Sequence, residues 1–186
     1  MRHPRRSITR AIRTRRPKRR GRELEEFEAL GWPEAAIRVR DVMTPAPFTL
    51  RWDATIGAAW KAMKARRIRH IPVLDAGDRL VGILTDRDLR QVVLDPAIQA
   101  ELGGAPTATE DVMVREVMTW GVITVRPDAD LRQAARIMHE QRIGALPVVE
   151  RDRVVGILTE SDLVRTLNRL LAEGVLAATE RWGREA

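Results

Sequence analysis

The sequence predicts a mixed α/β (α+β) fold made of two similar β-α-β-β-α repeats. Residues 39–74 match residues 114–149 at 15 of 36 positions with an offset of 75. With an offset of 74, residues 81–89 match residues 155–163 at 7 of 9 positions. In each copy, short apolar runs bounded by turn residues predict strands, and apolar residues three and four apart predict helices. An internal duplication explains these matches better than chance.

Each repeat begins with a short apolar strand that is followed by an amphipathic helix. We expect the strands at residues 48–50 and 122–125, and the helices at about residues 55–67 and 130–142. An acid just before a helix accepts hydrogen bonds from the first-turn amides. The candidate N-caps are Asp53 in the first copy and Asp128 or Asp130 in the second.

A hairpin and a second helix complete each repeat. Turn residues separate two apolar runs in both copies, which is typical of a β-hairpin. One repeat alone is too small to bury both faces of its sheet, so we expect the copies to pack together. The expected hairpin strands are residues 70–74 and 80–84 in the first copy and residues 145–149 and 154–158 in the second.

The junction between the last strand and the last helix carries the candidate functional centre. Residues 82–88 (GILTDRD) return as residues 156–162 (GILTESD). The glycine lets another group approach the strand backbone closely. The Thr and the Asp three positions later lie in the first helical turn, where unpaired amides can receive an anion. The same spacing is also that of a capping box, and the two roles can coexist.

The rest of the chain divides into a tail, linkers and an extension. Residues 1–22 hold 11 Arg or Lys and no acid, so they are predicted to be disordered, and the remaining residues carry a net charge of −4. The second helix of repeat 2 carries an apolar stripe wider than one small domain needs. The stripe is compatible with a partner surface or with ordinary core packing. We expect this helix to end at Gly174. The predicted boundaries are residues 1–22 for the Arg-rich tail, 23–38 for an N-terminal helix and linker, 39–94 for repeat 1, 95–113 for a linker, 114–172 for repeat 2 and 173–186 for a C-terminal extension.

Composition narrows the class of function. The chain has no Cys and three scattered His, so neither a disulfide nor a thiolate metal site is expected, and a cytoplasmic setting is compatible. No apolar run approaches the length of a membrane span. Catalytic signatures such as a P-loop or a Ser–His pattern are missing, so we expect a protein that is not an enzyme.

The repeated pattern resembles the cystathionine-β-synthase-type (CBS) domain family, in which a tandem pair is called a Bateman module. The resemblance is carried in both copies by Met-Thr before a strand, an Arg-Ile…Pro-Val strand and Gly-Ile-Leu-Thr-x-x-Asp-Leu. It covers about residues 39–171 and implies two repeats packed with pseudo-twofold symmetry, as in stand-alone bacterial CBS-domain proteins. It also implies clefts between the repeats that bind AMP, ADP, ATP or S-adenosylmethionine as regulatory ligands, with no cofactor required.

The family pattern implies a role for each matching residue. Asp88 and Asp162 would accept hydrogen bonds from ribose hydroxyls, and Thr85 and Thr159 would hold ribose or phosphate. The backbone near six residues would frame the adenine: Phe48, Ile71 and Pro72 in the first copy, and Ile123, Leu146 and Pro147 in the second. Further phosphate candidates are Arg66, Arg67, Arg69, His70 and Arg142.

The two copies differ beside the expected phosphate position. Arg87 in the first motif corresponds to Ser161 in the second. Arginine adds a charge-assisted donor, whereas serine offers a neutral hydroxyl. We therefore expect the first site to favour the more highly charged ligand. Trp120 also replaces Pro45, which changes the expected shape of the adenine slot.

Three functions are compatible with this sequence. The first is a ligand-sensing regulatory module, a homodimer that signals in trans to a protein partner. The second is a nucleic-acid-associated protein whose arm, residues 1–22, binds nucleic acid or another acidic surface. The third is a structural dimerisation scaffold with empty clefts.

Overall fold

Each repeat supplies most of one β-sheet, but the first residues of each repeat join the sheet that the other repeat supplies. A computed structural model describes residues 37–94 and 112–182, with side chains for residues 37–92 and 112–172. Within these ranges the chain forms two units. The first holds residues 47–94 and 112–122, and the second holds residues 37–46 and 123–182. The Arg-rich tail, most of the predicted N-terminal helix and most of the central linker lie outside the described residues.

The described residues form one 3-10 turn, seven strands and five helices. A 3-10 turn at Val39–Asp41 comes first. The strands are β1 (Thr44–Pro45), β2 (Leu50–Arg51), β3 (His70–Leu74), β4 (Leu80–Thr85), β5 (Thr119–Trp120), β6 (Ala145–Glu150) and β7 (Arg153–Thr159). The helices are α1 (Ile56–Arg66), α2 (Asp86–Leu94), α3 (Val114–Val117), α4 (Leu131–Gln141) and α5 (Glu160–Trp182). This mixed helix and sheet architecture confirms the predicted α+β class.

The first unit contains a four-stranded sheet in the order β2-β3-β4-β5. Strand β2 runs parallel to β3, and β3 and β4 form the expected antiparallel hairpin. In the hairpin turn, Oδ1 of Asp75 accepts hydrogen bonds from the amides of Gly77 at 2.8 Å and Arg79 at 2.9 Å. The short strand β5 is not expected from the sequence and forms the edge of the sheet beside β4.

The second unit repeats this arrangement. Its sheet has the order β1-β7-β6, with β6 and β7 as the antiparallel hairpin. The predicted strand at residues 122–125 is wrong as a strand, because in that stretch Val125 alone forms a bridge, which is parallel to Val148. The predicted strand at residues 48–50 is displaced to Leu50–Arg51, so that Leu50 pairs with Val73. In both cases the first strand of the repeat pairs with its sheet over one or two residues. So short a pairing leaves no alternation of apolar and polar residues from which its position could be predicted.

The glycine of each motif accommodates a methionine side chain. A Cβ atom added to Gly82 would lie 2.5 Å from Sδ of Met118, and one added to Gly156 would lie even closer to Sδ of Met43. Met118 immediately precedes β5, and Met43 immediately precedes β1. The close approach that the glycines predicted is therefore that of the methionine in the Val-Met-Thr sequence.

Helix starts follow capping chemistry, although one cap was assigned wrongly from the sequence. Thr55 caps α1, since its side chain accepts a hydrogen bond from the amide of Ala58 at 3.2 Å. The assignment of Asp53 is wrong because this residue lies three positions before the helix and its carboxylate pairs with Arg51. Asp130 is confirmed as the cap of α4 and accepts from the amide of Arg132 at 2.8 Å.

Two apolar cores support the units separately. The core of the first unit includes Ile56, Ile71 and Leu84, none of which is more than 2% exposed. The core of the second unit includes Leu146 and Leu158, both fully buried. Burial of such side chains is the main favourable term in folding. Each core therefore lies between a sheet and the helices of its own unit.

Helix α5 continues through Gly174 to Trp182, so the predicted stop at Gly174 is wrong. A single glycine costs about 1 kcal/mol in a helix interior, which a long helix with good neighbours can absorb. The apolar stripe on this helix divides in two. Leu163 packs against the core, whereas Val164, Leu167 and Leu171 are 51–58% exposed.

Candidate functional site

The two Thr-x-x-Asp motifs occupy the same place in the two units. Thr85 is the last residue of β4, and α2 begins at Asp86. Thr159 is the last residue of β7, and α5 begins at Glu160. Each Asp is the third residue of its helix, where backbone amides lack helical partners. The strand and the helix therefore hold Thr and Asp together at a helix N-terminus, as the sequence predicts.

In the first unit, Thr85 and Asp88 form a reciprocal capping box. Oδ2 of Asp88 accepts hydrogen bonds from the amide of Thr85 at 2.8 Å and from its hydroxyl at 2.7 Å. In return, the amide of Asp88 donates to the hydroxyl oxygen of Thr85 at 3.2 Å. The capping role that the sequence left open is thus present in this unit.

This geometry restricts what the threonine hydroxyl can offer a ligand. A hydroxyl has one proton and two lone pairs. Thr85 uses its proton on Asp88 and one lone pair on the Asp88 amide, which leaves one lone pair. Such an oxygen can accept from a ribose hydroxyl but cannot donate to a phosphate oxygen. Of the two expected roles of Thr85, the arrangement favours the ribose.

The second carboxylate oxygen of Asp88 is available. Among the described residues, none donates a hydrogen bond to Oδ1, and no fully buried side-chain oxygen lacks a partner, so this atom reaches solvent. Partial burial raises the pKa of Asp88 above its ordinary value of 3.8, against the hydrogen bonds from Thr85 and the charges of Arg87 and His70, which lower it. Oδ1 is therefore an acceptor that the capping box does not use.

In the second unit, the carboxylate of Asp162 is engaged through both oxygens. Oδ2 accepts from the amide of Thr159 at 2.9 Å and from its hydroxyl at 2.7 Å. Oδ1 accepts from Nη1 of Arg165 at 3.2 Å. Asp162 is 3% exposed, and Thr166 donates its hydroxyl proton to the Asp162 carbonyl at 2.9 Å. The two motifs therefore differ in the oxygen that remains for a ligand.

The residues expected beside the adenine lie in different surroundings. Ile71, Pro72, Leu146 and Pro147 are buried within their strands, so their side chains shape the sheet and do not face solvent. Ile123 is 40% exposed. Phe48 is half-buried under the Arg66 guanidinium, whose Cζ lies 4.3 Å from the ring centroid. Arg87 and Ser161 are both exposed on the first turn of their helices.

Two of the other phosphate candidates have structural roles. Arg67 and Arg142 adopt left-handed backbone conformations, with φ of 54° and 53°, where they end α1 and α4. Their amides donate back to carbonyl oxygens of those helices. His70 pairs across the sheet with Thr85, so its ring and the Asp88 carboxylate belong to the same end of the first unit.

A separate pocket was not anticipated from the sequence. It has a volume of about 390 Å³ and lies in the second unit, between the chain before α4 and one face of α4. None of the predicted site residues lines it. Its lining residues are Thr124, Val125, Arg126, Asp128, Ala129, Gln133, Ala134 and Ile137. Nothing in its lining offers a buried charge, so we base the candidate site on the motif carboxylates.

The described residues contain neither a metal-binding cluster nor a membrane-spanning helix. Across residues 37–94 and 112–182, His, Asp and Glu side chains form no group of three that could hold a metal ion. None of the helices in the same part of the chain combines the length and the apolar composition needed to cross a lipid bilayer.

Two successive CBS domains match the chain, at residues 39–95 and 114–169. These limits enclose both hairpins and both Thr-x-x-Asp motifs. The chain therefore belongs to the CBS domain family, as the resemblance of its motifs predicted.

Known relatives share the paired arrangement. A CBS domain-containing protein of Dictyostelium discoideum is 31% identical over 143 residues, which are 73% of this chain and 94% of that protein. The solved CBS domain pair of protein MJ0100, in complex with 5′-methylthioadenosine and S-adenosyl-L-methionine, is 29% identical with a TM-score of 0.62 and covers 72% of this chain and 97% of that one. CBSX2 of Arabidopsis thaliana in complex with AMP is 26% identical with a TM-score of 0.60, over 72% of this chain and 97% of that one.

Other relatives are enzymes that are much longer than the matched region. In the homoserine O-acetyltransferase of Methanohalobium evestigatum, the match spans 69% of this chain but 24% of the enzyme. The region similar to this chain is therefore about a quarter of that enzyme.

Proposed function

We propose that this chain is a regulatory sensor that binds adenosine-containing ligands at its Thr-x-x-Asp motifs, with the first motif as the principal site. The observation that carries this proposal is the solvent-accessible Oδ1 of Asp88 at the start of α2. A carboxylate oxygen at such a position accepts strongly from hydroxyl donors. The ribose of an adenosyl ligand presents two adjacent hydroxyls to it and to the remaining lone pair of Thr85.

The charges around the first motif suit an anionic ligand. Arg87 is exposed beside Asp88, and the N-terminus of α2 favours negative charge. Ser161 takes the place of Arg87 in the second motif and lacks its charge. The first motif therefore favours AMP, ADP or ATP over an uncharged adenosyl compound, and the second motif discriminates less between them. The complexes of MJ0100 and CBSX2 with adenosyl ligands support this ligand class.

Regulation in trans is the mode of action that we propose for this sensor. In this mode, a bound ligand changes the conformation that a separate protein partner meets. We propose a homodimer in the cytoplasm that signals to a separate protein. The exposed apolar side chains of Val164, Leu167 and Leu171 on α5 support a self-association surface.

Isothermal titration calorimetry with AMP tests the proposed function. We expect wild-type protein to bind AMP and the Asp88→Asn variant to lose the tighter of its binding events. The Asn side chain still accepts one hydrogen bond but lacks the negative charge that strengthens hydrogen bonds from a diol. We therefore expect AMP affinity at this site to fall by about tenfold or more. Replacing AMP by its 2′-deoxy analogue should weaken the tighter binding event of the wild-type protein, because one of the two hydroxyl donors to Asp88 and Thr85 is then missing.

Asp86→Asn is the matched control. Asp86 lies two residues away in the same helical turn and pairs with Arg90 at 2.8 Å, outside the capping box. Its substitution removes an equal charge and should leave AMP affinity within about twofold. An equal loss of AMP affinity in both variants would mean that Asp88 acts only through its charge. Unchanged AMP affinity in Asp88→Asn would refute its proposed role as acceptor for the ribose diol.

A further inference from the structure

The second motif contains a cation that the first motif lacks. Arg165 lies one turn into α5 and donates from Nη1 to Oδ1 of Asp162 at 3.2 Å. The Arg165 side chain is 75% exposed, whereas that of Asp162 is 3% exposed. The guanidinium therefore covers the one oxygen of Asp162 that Thr159 does not use.

The internal duplication supplies the comparison. With the offset of 74 that aligns the motifs, Arg165 corresponds to Gln91 in α2. Gln91 is exposed, and Oδ1 of Asp88 accepts no hydrogen bond from it or from another described residue. Two motifs that share the hydrogen bonds from threonine to Oδ2 thus present one open carboxylate oxygen and one covered carboxylate oxygen.

We infer that Arg165 is a specificity-determining residue that competes with the ligand for Asp162, so that the two motifs fill in sequence. This inference rests on the proposed function, because it assigns the order in which ligand reaches the two carboxylates. A ligand diol can bind Asp88 directly. At Asp162 it must first displace the guanidinium, and the cost of that displacement weakens the second site.

The contact is suited to displacement. Arg165 is long and mostly exposed, and an ion pair with one solvated partner holds weakly and is screened by salt. Asp162 is buried and would be costly to leave unpaired, but two ribose hydroxyls replace the lost donor. The exchange is therefore possible at moderate ligand concentration, with Arg165 turning into solvent.

The test isolates the second motif by calorimetry in the Asp88→Asn background, with AMP as the probe. Adding Arg165→Gln introduces the side chain that repeat 1 carries at this position. We expect AMP to bind the second motif about three- to tenfold more tightly than in the Asp88→Asn background alone, the range that a weak ion pair supports. The reciprocal Gln91→Arg substitution in otherwise wild-type protein should weaken the first motif by a similar factor.

Arg169→Gln, one turn further along α5, removes the same charge and should change AMP affinity by less than about twofold. Tighter binding in Arg165→Gln but not in Arg169→Gln supports the inference. Unchanged or weaker binding in Arg165→Gln overturns it, since Arg165 would then be a bystander or a ligand contact. If wild type binds AMP and Arg165→Gln has no effect, this inference fails alone; if no variant and no wild-type protein binds AMP, the proposed function fails with it.

Discussion

Each motif aspartate uses one carboxylate oxygen to close the first turn of its helix. In both units this oxygen is Oδ2, which accepts from the amide and the hydroxyl of the preceding threonine. The cap and the proposed ligand acceptor are therefore different atoms of one side chain, and the two roles do not compete. What distinguishes the motifs is the other oxygen, which is open in Asp88 and covered by Arg165 in Asp162.

The motif glycines are a matched pair for a test of packing at the residue scale. Near Gly82 an added Cβ would meet Sδ of Met118 at 2.5 Å and the backbone oxygen of Thr119 at 2.8 Å. Near Gly156 the three closest atoms all belong to Met43. Overpacking of this kind costs about 1–3 kcal/mol. We expect Gly82→Ala and Gly156→Ala both to lower the free energy of unfolding by that amount, measured by urea denaturation.

Double-mutant cycles compare how strongly each glycine position is coupled to its neighbouring methionine. Methionine is flexible, so Met43→Ala should remove most of the added cost of Gly156→Ala, giving a coupling energy of about 1 kcal/mol or more. Met118→Ala should recover less from Gly82→Ala, because the backbone oxygen of Thr119 remains. Equal recovery in the two cycles would mean that the backbone of β5 moves freely.

The sequence was informative about these residues up to a limit. The repeated Gly and the repeated Thr-x-x-Asp spacing predicted a close approach and a helix cap, and both are present. The identity of the approaching group was not accessible, because Met118 belongs to repeat 2 and meets a glycine of repeat 1. Arg165 was also missed, although the alignment with Gln91 shows the difference between the copies.

At the scale of elements, long periodic segments were predictable and short pairings were not. Helices α1 and α4 lie within one residue of their expected limits at each end, since their apolar residues recur at helical spacing over three turns. Strand β3 has its expected bounds, His70–Leu74. Strands β1 and β5 contain two residues each, and no periodicity can be read from two residues.

The start of α1 gives a prediction for an element. Thr55 accepts from the amide of Ala58 at 3.2 Å, and an N-cap residue of this kind stabilises by about 1 kcal/mol. We expect Thr55→Ala to lower the free energy of unfolding of the first unit by about this amount. Asp53→Ala is the control: the Asp53 carboxylate is exposed and pairs with Arg51 at 3.4 Å, so its loss should cost less than about 0.5 kcal/mol.

Urea unfolding followed by circular dichroism measures both variants. The prediction is contradicted if Asp53→Ala costs as much as Thr55→Ala, which would restore Asp53 as the effective cap. The pKa of Asp53 is lowered, mainly by its hydrogen bond with Arg51. The Asp53 carboxylate therefore interacts with Arg51 and not with the amides at the start of α1.

At the scale of the whole molecule, the duplication includes the hydrogen bonds made by the first residues of each repeat. Val39 donates its amide to the Ala129 carbonyl at 3.0 Å, and the corresponding Val114 donates to Ala54 at 2.7 Å. The next residues repeat the relation, since Arg40 donates to Pro127 and Arg115 donates to Trp52, both at 2.9 Å. Each unit is therefore completed by the first residues of the repeat that forms most of the other unit. Repeat boundaries read from the sequence do not coincide with the units that fold.

This arrangement predicts that a substitution at the start of one repeat destabilises the unit that contains the hairpin of the other repeat. Val39 is fully buried in the core of the second unit, and Val114 is fully buried in the core of the first. Truncation of a buried valine to alanine costs about 1–3 kcal/mol. We expect Val39→Ala to speed amide hydrogen exchange in β6 and β7 while β3 and β4 keep their protection, and Val114→Ala to do the reverse. Exchange followed by mass spectrometry resolves these peptides, and if Val39→Ala instead loosened β3 and β4, its segment would belong with its own repeat.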